Sequence, residues 1–105
     1  MNDIDSFVYM NKLLSVYGEL LSNSQREILS DYYGANLSIS EIAEERNISR
    51  AAVDDSLKKG RKKLLEFEKT LKIIENRERI SSLVNEGLEG DNKDEVLRKI
   101  EEVIL

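Results

Sequence analysis

The stretch "LSISEIAEERNISRAAVDDSL", Leu37 to Leu57, decides the fold. Ser38 with Glu41 three residues later is a capping box, in which each side chain satisfies a backbone N–H that a helix start leaves open. Ile42 and Ala43 give the short helix its apolar side. Asn47, tolerant of a left-handed backbone, ends it. Ser49 then caps a second helix whose inward face begins with Ala52, Val53 and Leu57. A two-turn helix, a turn of three or four residues and a longer helix make a helix-turn-helix. Ala43 is small where the two helices cross, and Ile48 is expected to pin the turn to the core.

Upstream, "SNSQREILSDYYG" (Ser22–Gly34) repeats the logic. Ser22 and Gln25 are spaced as a second capping box. Ile28, Leu29, Tyr32 and Tyr33 supply a buried face, and Gly34 is placed for a left-handed helix exit. Before it, Met10, Leu13, Leu14, Tyr17, Leu20 and Leu21 follow the rhythm of one apolar face, which predicts a helix from about Asp3 to Leu21.

Downstream, the chain has no proline, and from Arg50 it can stay helical for a long way. Leu57, Leu64 and Leu71 recur at seven-residue spacing, with Phe67 and Ile74 completing an a/d-like seam. Gly60 interrupts it at a cost of about 1 kcal/mol relative to Ala, which leaves continuity of the helix open. "SSLVNEGLEGDN" loosens the pattern around Gly87 and Gly90. A last helix, Lys93 to Ile104, starts with Asn92 as cap and Glu95 in the box position. Val96, Leu97, Ile100, Val103 and Ile104 form its apolar stripe. The expected architecture is all-α: a helix-turn-helix bundle over residues 1–74, with the motif at about 38–64 and a long recognition helix. Residues 75–105 form a C-terminal helical extension. The leucine seam and the last stripe can each pair with a second copy or pack within the chain, so the extension is a candidate dimerisation element.

With no Cys and no His, a thiol nucleophile, a Cys/His zinc site and an imidazole base are excluded. No Gly-rich phosphate loop or Ser/Lys dyad stands out, so neither an enzyme, a cofactor nor a small-molecule substrate is expected. No apolar run approaches the roughly 18 residues of a membrane span, and "MNDIDSFVYM" lacks the basic start of a signal peptide. Cytoplasmic location is the expectation.

Charge is unevenly spread. Residues 1–49 carry −5, residues 50–69 carry +3 and residues 70–105 carry −3, for a total of −5. The one basic segment is therefore the recognition helix and its extension, where Arg50, Lys58, Lys59, Arg61, Lys62 and Lys63 are candidate phosphate contacts. At 100° per residue the bases of "KKGRKK" spread over a little more than half the circumference, which also suits an ordinary solvated face. Asp54 precedes Lys58, and Asp55 precedes Lys59, by the four residues that favour an ion pair on a helix.

"LSNSQREILSDYYGANLSISEIAEERNISRAAV" (Leu21–Val53) resembles region 4 of bacterial sigma factors, where "QRE", "EIAEE" and "ISR" recur in this order. With the extension through "LLEFEKTL", the stretch from about Met10 to Ile74 resembles the YlxM-like family of small helix-turn-helix proteins. That resemblance implies that Ser49 and Arg50 approach a DNA backbone while Ala51, Ala52, Asp54 and Asp55 face base edges. Genes of that family typically lie beside those for the signal recognition particle GTPases, which implies a regulatory or accessory role in that pathway. The expected function is a DNA-binding regulator associated with the signal recognition particle pathway, acting as a dimer. The alternative is an accessory module that binds a protein or RNA of that machinery and has no DNA operator. Specific readout favours Arg, Lys, Asn or Gln at base-facing positions. Two alanines and two aspartates depart from that pattern.

Overall fold

The computed structural model describes residues 3–89 and 93–104, all but short connections in helices. The helices are α1 (Asp3–Tyr17), α2 (Asn23–Leu29), α3 (Ile39–Arg46), α4 (Arg50–Leu71), α5 (Ile73–Glu89) and α6 (Lys93–Ile104). No strand occurs among the described residues, and none of their helices is long and apolar enough to cross a membrane. The chain divides into two compact units, Met1–Thr70 and Leu71–Leu105.

In the first unit, α1 to α4 close over a core of Met10, Leu13, Tyr17, Leu21, Ile28, Leu29, Tyr33, Ile42, Ala43, Val53, Leu57 and Leu64. The first helix is shorter than its sequence pattern suggests. It stops at Tyr17 and tightens into a 3₁₀ turn, Gly18–Leu20, which turns Leu20 outward and Leu21 back into the core. Leu14 is half-buried.

The Ser22 hydroxyl accepts from the Gln25 N–H at 3.2 Å, but the Gln25 side chain does not return the bond to Ser22. It accepts instead from Lys63 Nζ at 3.3 Å. Gly34 is not the left-handed residue either. The chain after α2 widens into a π-turn, Ser30–Gly34, and the reversal falls on Asn36, at φ 57°. An asparagine tolerates that conformation almost as a glycine does, so the exit moved two residues on.

The outward turn of α4 also departs from expectation. Ala52 is exposed, and Ile48 is 39% exposed rather than sealed under the turn, while Val53 and Leu57 carry the inward face. The helix runs unbroken through Gly60. Leu57 and Leu64 are both buried in the unit's core, whereas Leu71 is 48% exposed, so the three do not form one seam. The helix ends because Lys72 takes φ 54°, and α5 restarts with Asn76 N–H donating to the Lys72 carbonyl.

In the second unit, α5 and α6 form a helical hairpin. Rather than loosening, α5 runs through Gly87, where the absent side chain lets Val96 of α6 approach: a Cβ there would lie 3.2 Å from Val96 Cγ1. Along the α6 stripe, Val96 is buried, Ile100 and Val103 are half-buried, and Leu97 is 59% exposed. The expected cap Asn92, Gly90 and the Ile104 side chain lie outside the described residues.

Candidate nucleic-acid interface

Two short-range devices hold the α3–turn–α4 motif. The capping box is complete: Glu41 N–H donates to Ser38 Oγ at 3.1 Å, and Ser38 N–H donates to Glu41 Oε1 at 3.1 Å. At the other end of α3, Asn47 adopts φ 54°, its N–H donates to the Glu44 carbonyl, and the Ile48 N–H donates to that of Ala43 at 3.0 Å. These crossed bonds close a helix in the Schellman manner and set the turn into α4. Ser49 Oγ then accepts from the Ala52 N–H at 3.0 Å, capping α4.

Ser49, Arg50, Ala51 and Ala52 are all exposed at the start of that helix, so the structure brings these four candidates to one surface turn. No described residue partners Arg50. The bases further along are dispersed around the helix. The core face is set by Val53, Leu57, Gly60 and Leu64. At about 100° per residue, Lys62 points almost directly away from it, Lys58 and Lys59 lie within about 60° of Lys62, and Arg61 and Lys63 fall about 100° to either side.

Their partners differ accordingly. Lys58 pairs with Asp54 at 2.8 Å and Lys59 with Asp55 at 2.9 Å, all four side chains solvated. Exposed i,i+4 pairs of this kind contribute about 0.3–0.5 kcal/mol, so a phosphate can displace the carboxylate at little cost. Lys62 is exposed and has no partner among the described residues. Lys63 is drawn sideways to Gln25.

Arg61 is half-buried and donates from Nη1 to the Tyr33 hydroxyl at 3.0 Å. Tyr33 is itself fixed: its ring packs edge-on against Phe7 and Tyr32, with centroids 5.0 and 4.9 Å away, and its carbonyl accepts from Asn11 Nδ2 at 2.9 Å. Arg61 therefore braces α4 against the π-turn. The sequence carries no signal for that contact, since the partners lie 28 residues apart.

The remaining electrostatics are acidic. Glu41, Glu44 and Glu45 are exposed on α3. The one base of that helix, Arg46, donates to Asp31 Oδ2 at 2.7 Å and Glu27 Oε2 at 2.9 Å. The hydrogen bond to Asp31 is the main cause that raises the Arg46 pKa above its ordinary value, with burial opposing it. Its charge is spent on joining α3 to α2 and the π-turn. The motif thus carries an acidic leading edge and a basic outer flank further along α4. Among the described residues no cluster of three metal-ligating side chains occurs.

The model of the family described as "Putative helix-turn-helix protein, YlxM / p13 like" matches residues 4–103. A UPF0122 protein of Fusobacterium nucleatum is 40% identical over 103 residues, covering 97% of this chain and 98% of that relative. UPF0122 proteins of Clostridium acetobutylicum and Mycoplasma capricolum are 39% and 36% identical, covering 85% and 98% of this chain and 72% and 92% of the relatives. The chain belongs to the YlxM / p13-like family of helix-turn-helix proteins.

Proposed function

We propose that this protein is a non-enzymatic, cytoplasmic regulator that binds duplex DNA through α4 and acts in the signal recognition particle pathway. The observation that carries the DNA reading is the outward row of α4. An exposed capped turn, Ser49–Ala52, leads into Lys58, Lys59 and Lys62, which point away from the core. Membership of a helix-turn-helix family supports the same use of that helix. The pathway assignment rests on the YlxM-like resemblance.

Binding on this reading is dominated by phosphate. Arg50, Lys58, Lys59 and Lys62 contact the backbone, with Arg61 and Lys63 flanking them from their tethers on Tyr33 and Gln25. Ala51 and Ala52 offer only methyl contact to thymine, so sequence readout is weak. Two copies acting together double the phosphate contacts and offset the repulsion from Asp54 and Asp55.

Fluorescence anisotropy with a labelled random duplex in low salt tests the reading. The wild type binds, and the combined change of Lys58, Lys59 and Lys62 to Ala abolishes binding while helicity is unchanged. Equal binding by both proteins would remove α4 from the interface.

A second reading has its own support: the exposed acids Glu41, Glu44, Glu45 and Asp55 at the leading edge suit a basic partner. On it the protein is an accessory module of the signal recognition particle machinery that binds a basic protein through these acids, whereas an RNA of that machinery would be held by the α4 bases instead. Capture from lysate with and without nuclease separates the two. A nuclease-resistant protein partner, in the absence of DNA binding, favours the second.

A further inference from the structure

We infer that the α5–α6 hairpin is the surface on which a second copy of this chain docks, two-fold about Leu97. Two apolar patterns in the sequence are candidates for self-association, and the structure removes one of them. Leu57 and Leu64 are buried in the first unit's own core, so α4 has no leucine seam to share. The α6 stripe is covered only in part: Val96 is buried, Ile100 and Val103 are half-buried, and Leu97 stands out of it. Leu97 is 59% exposed and Val84 of α5 is 43% exposed. Both line a cavity of about 270 Å³ together with Gly87, Lys93, Val96 and Ile100.

Size argues that something covers it. Units below roughly 40 residues usually need a disulfide, a metal or oligomerisation to hold together. The second unit, Leu71–Leu105, falls below that size, the chain has no cysteine, and no metal cluster occurs among the described residues. Of the unit's described side chains, only Ile74 and Val96 are buried.

Charge identifies the cover as another copy. Lys93, Leu97 and Glu101 are spaced by four, so they form one ridge along α6, and both charged residues are exposed. Pairing α6 with its antiparallel copy about Leu97 sets Leu97 against Leu97 and Lys93 against Glu101, twice. The ridge is complementary to itself, as a closed two-fold contact requires. The inference specifies the pairing included in the functional reading above. It rests on that reading only there, because mass measured without nucleic acid stands or falls separately from DNA binding.

Sedimentation equilibrium of the full chain over roughly 1–100 µM, where dimers of ordinary affinity dissociate, provides the test. The wild type is expected to be dimeric. Leu97→Glu is expected to weaken association at least about ten-fold with unchanged circular dichroism; the side chain is exposed in the single chain. Lys93→Glu and Glu101→Lys each weaken it, and the two together restore it. A monomeric wild type, a dimer indifferent to Leu97→Glu, or a double charge swap no tighter than the single changes would each overturn the inference.

Discussion

Leu29 occupies the space that a side chain at Gly60 would need. A Cβ built at Gly60 lies 2.6 Å from Leu29 Cδ1 and 3.0 Å from Cδ2, and Leu29 is fully buried. The glycine inside α4 is therefore where α2 packs against that helix, and its helix-weakening character is secondary to the room it leaves. In a solvated helix Gly60→Ala would gain about 1 kcal/mol. Here the fully buried Leu29 side chain must shift to admit the methyl, and overpacking of that kind costs about 1–3 kcal/mol, which outweighs the gain. Urea denaturation is expected to show Gly60→Ala as destabilised; a stabilised variant would show that Leu29 can move aside.

Tyr17 and Glu68 form another long-range brace of the first unit. The Tyr17 hydroxyl donates to Glu68 Oε1 at 2.5 Å, with Tyr17 1% and Glu68 9% exposed. Tyr17→Phe keeps the ring but takes a donor from a buried carboxyl group, at about 1–3 kcal/mol. Glu68→Gln retains an oxygen acceptor and is expected to cost less. The order of the two denaturation midpoints checks this, and a Tyr17→Phe midpoint equal to the wild type would contradict it.

Asp54 and Asp55 hold Lys58 and Lys59 in the free protein and, on the DNA reading, oppose phosphate in the complex. Replacing both by Asn removes two negative charges and releases two lysines. Affinity for random duplex in low salt is expected to rise several-fold, while stability falls by less than about 1 kcal/mol, as two exposed pairs imply. Unchanged affinity in an anisotropy titration would mean that this face never meets DNA.

Local devices were legible in the sequence. The Ser38–Glu41 box, the left-handed Asn47, the Ser49 cap and the Asp–Lys pairs all span five residues or fewer, and spacing alone specifies them. What escaped depends on distant neighbours. Gly60 reads as a weak point until Leu29 is placed against it, and Gln25 reads as a capping partner until Lys63 claims it. The helix end at Lys72 carries no glycine or proline to announce it. In the candidate interface, the Ser49 cap and the wide spread of the bases around α4 were readable from spacing, whereas Ala52, read as inward, is exposed. The binding of Arg61 to Tyr33 was not, because nothing local links a base on α4 to a ring in the π-turn.

On the DNA reading, α4 engages phosphate through Arg50, Lys58, Lys59 and Lys62, and the salt dependence of binding to random duplex counts those contacts. Each neutralised phosphate contributes about −0.9 to the log–log slope, so four contacts predict a slope of about −3 to −4 per chain. Lys62→Ala is expected to reduce its magnitude by about one, whereas Arg61→Ala, whose main loss is the bond to Tyr33, costs about 1 kcal/mol of stability and leaves the slope nearly intact. A flat salt response, or no binding in low salt, would mean that α4 does not engage DNA.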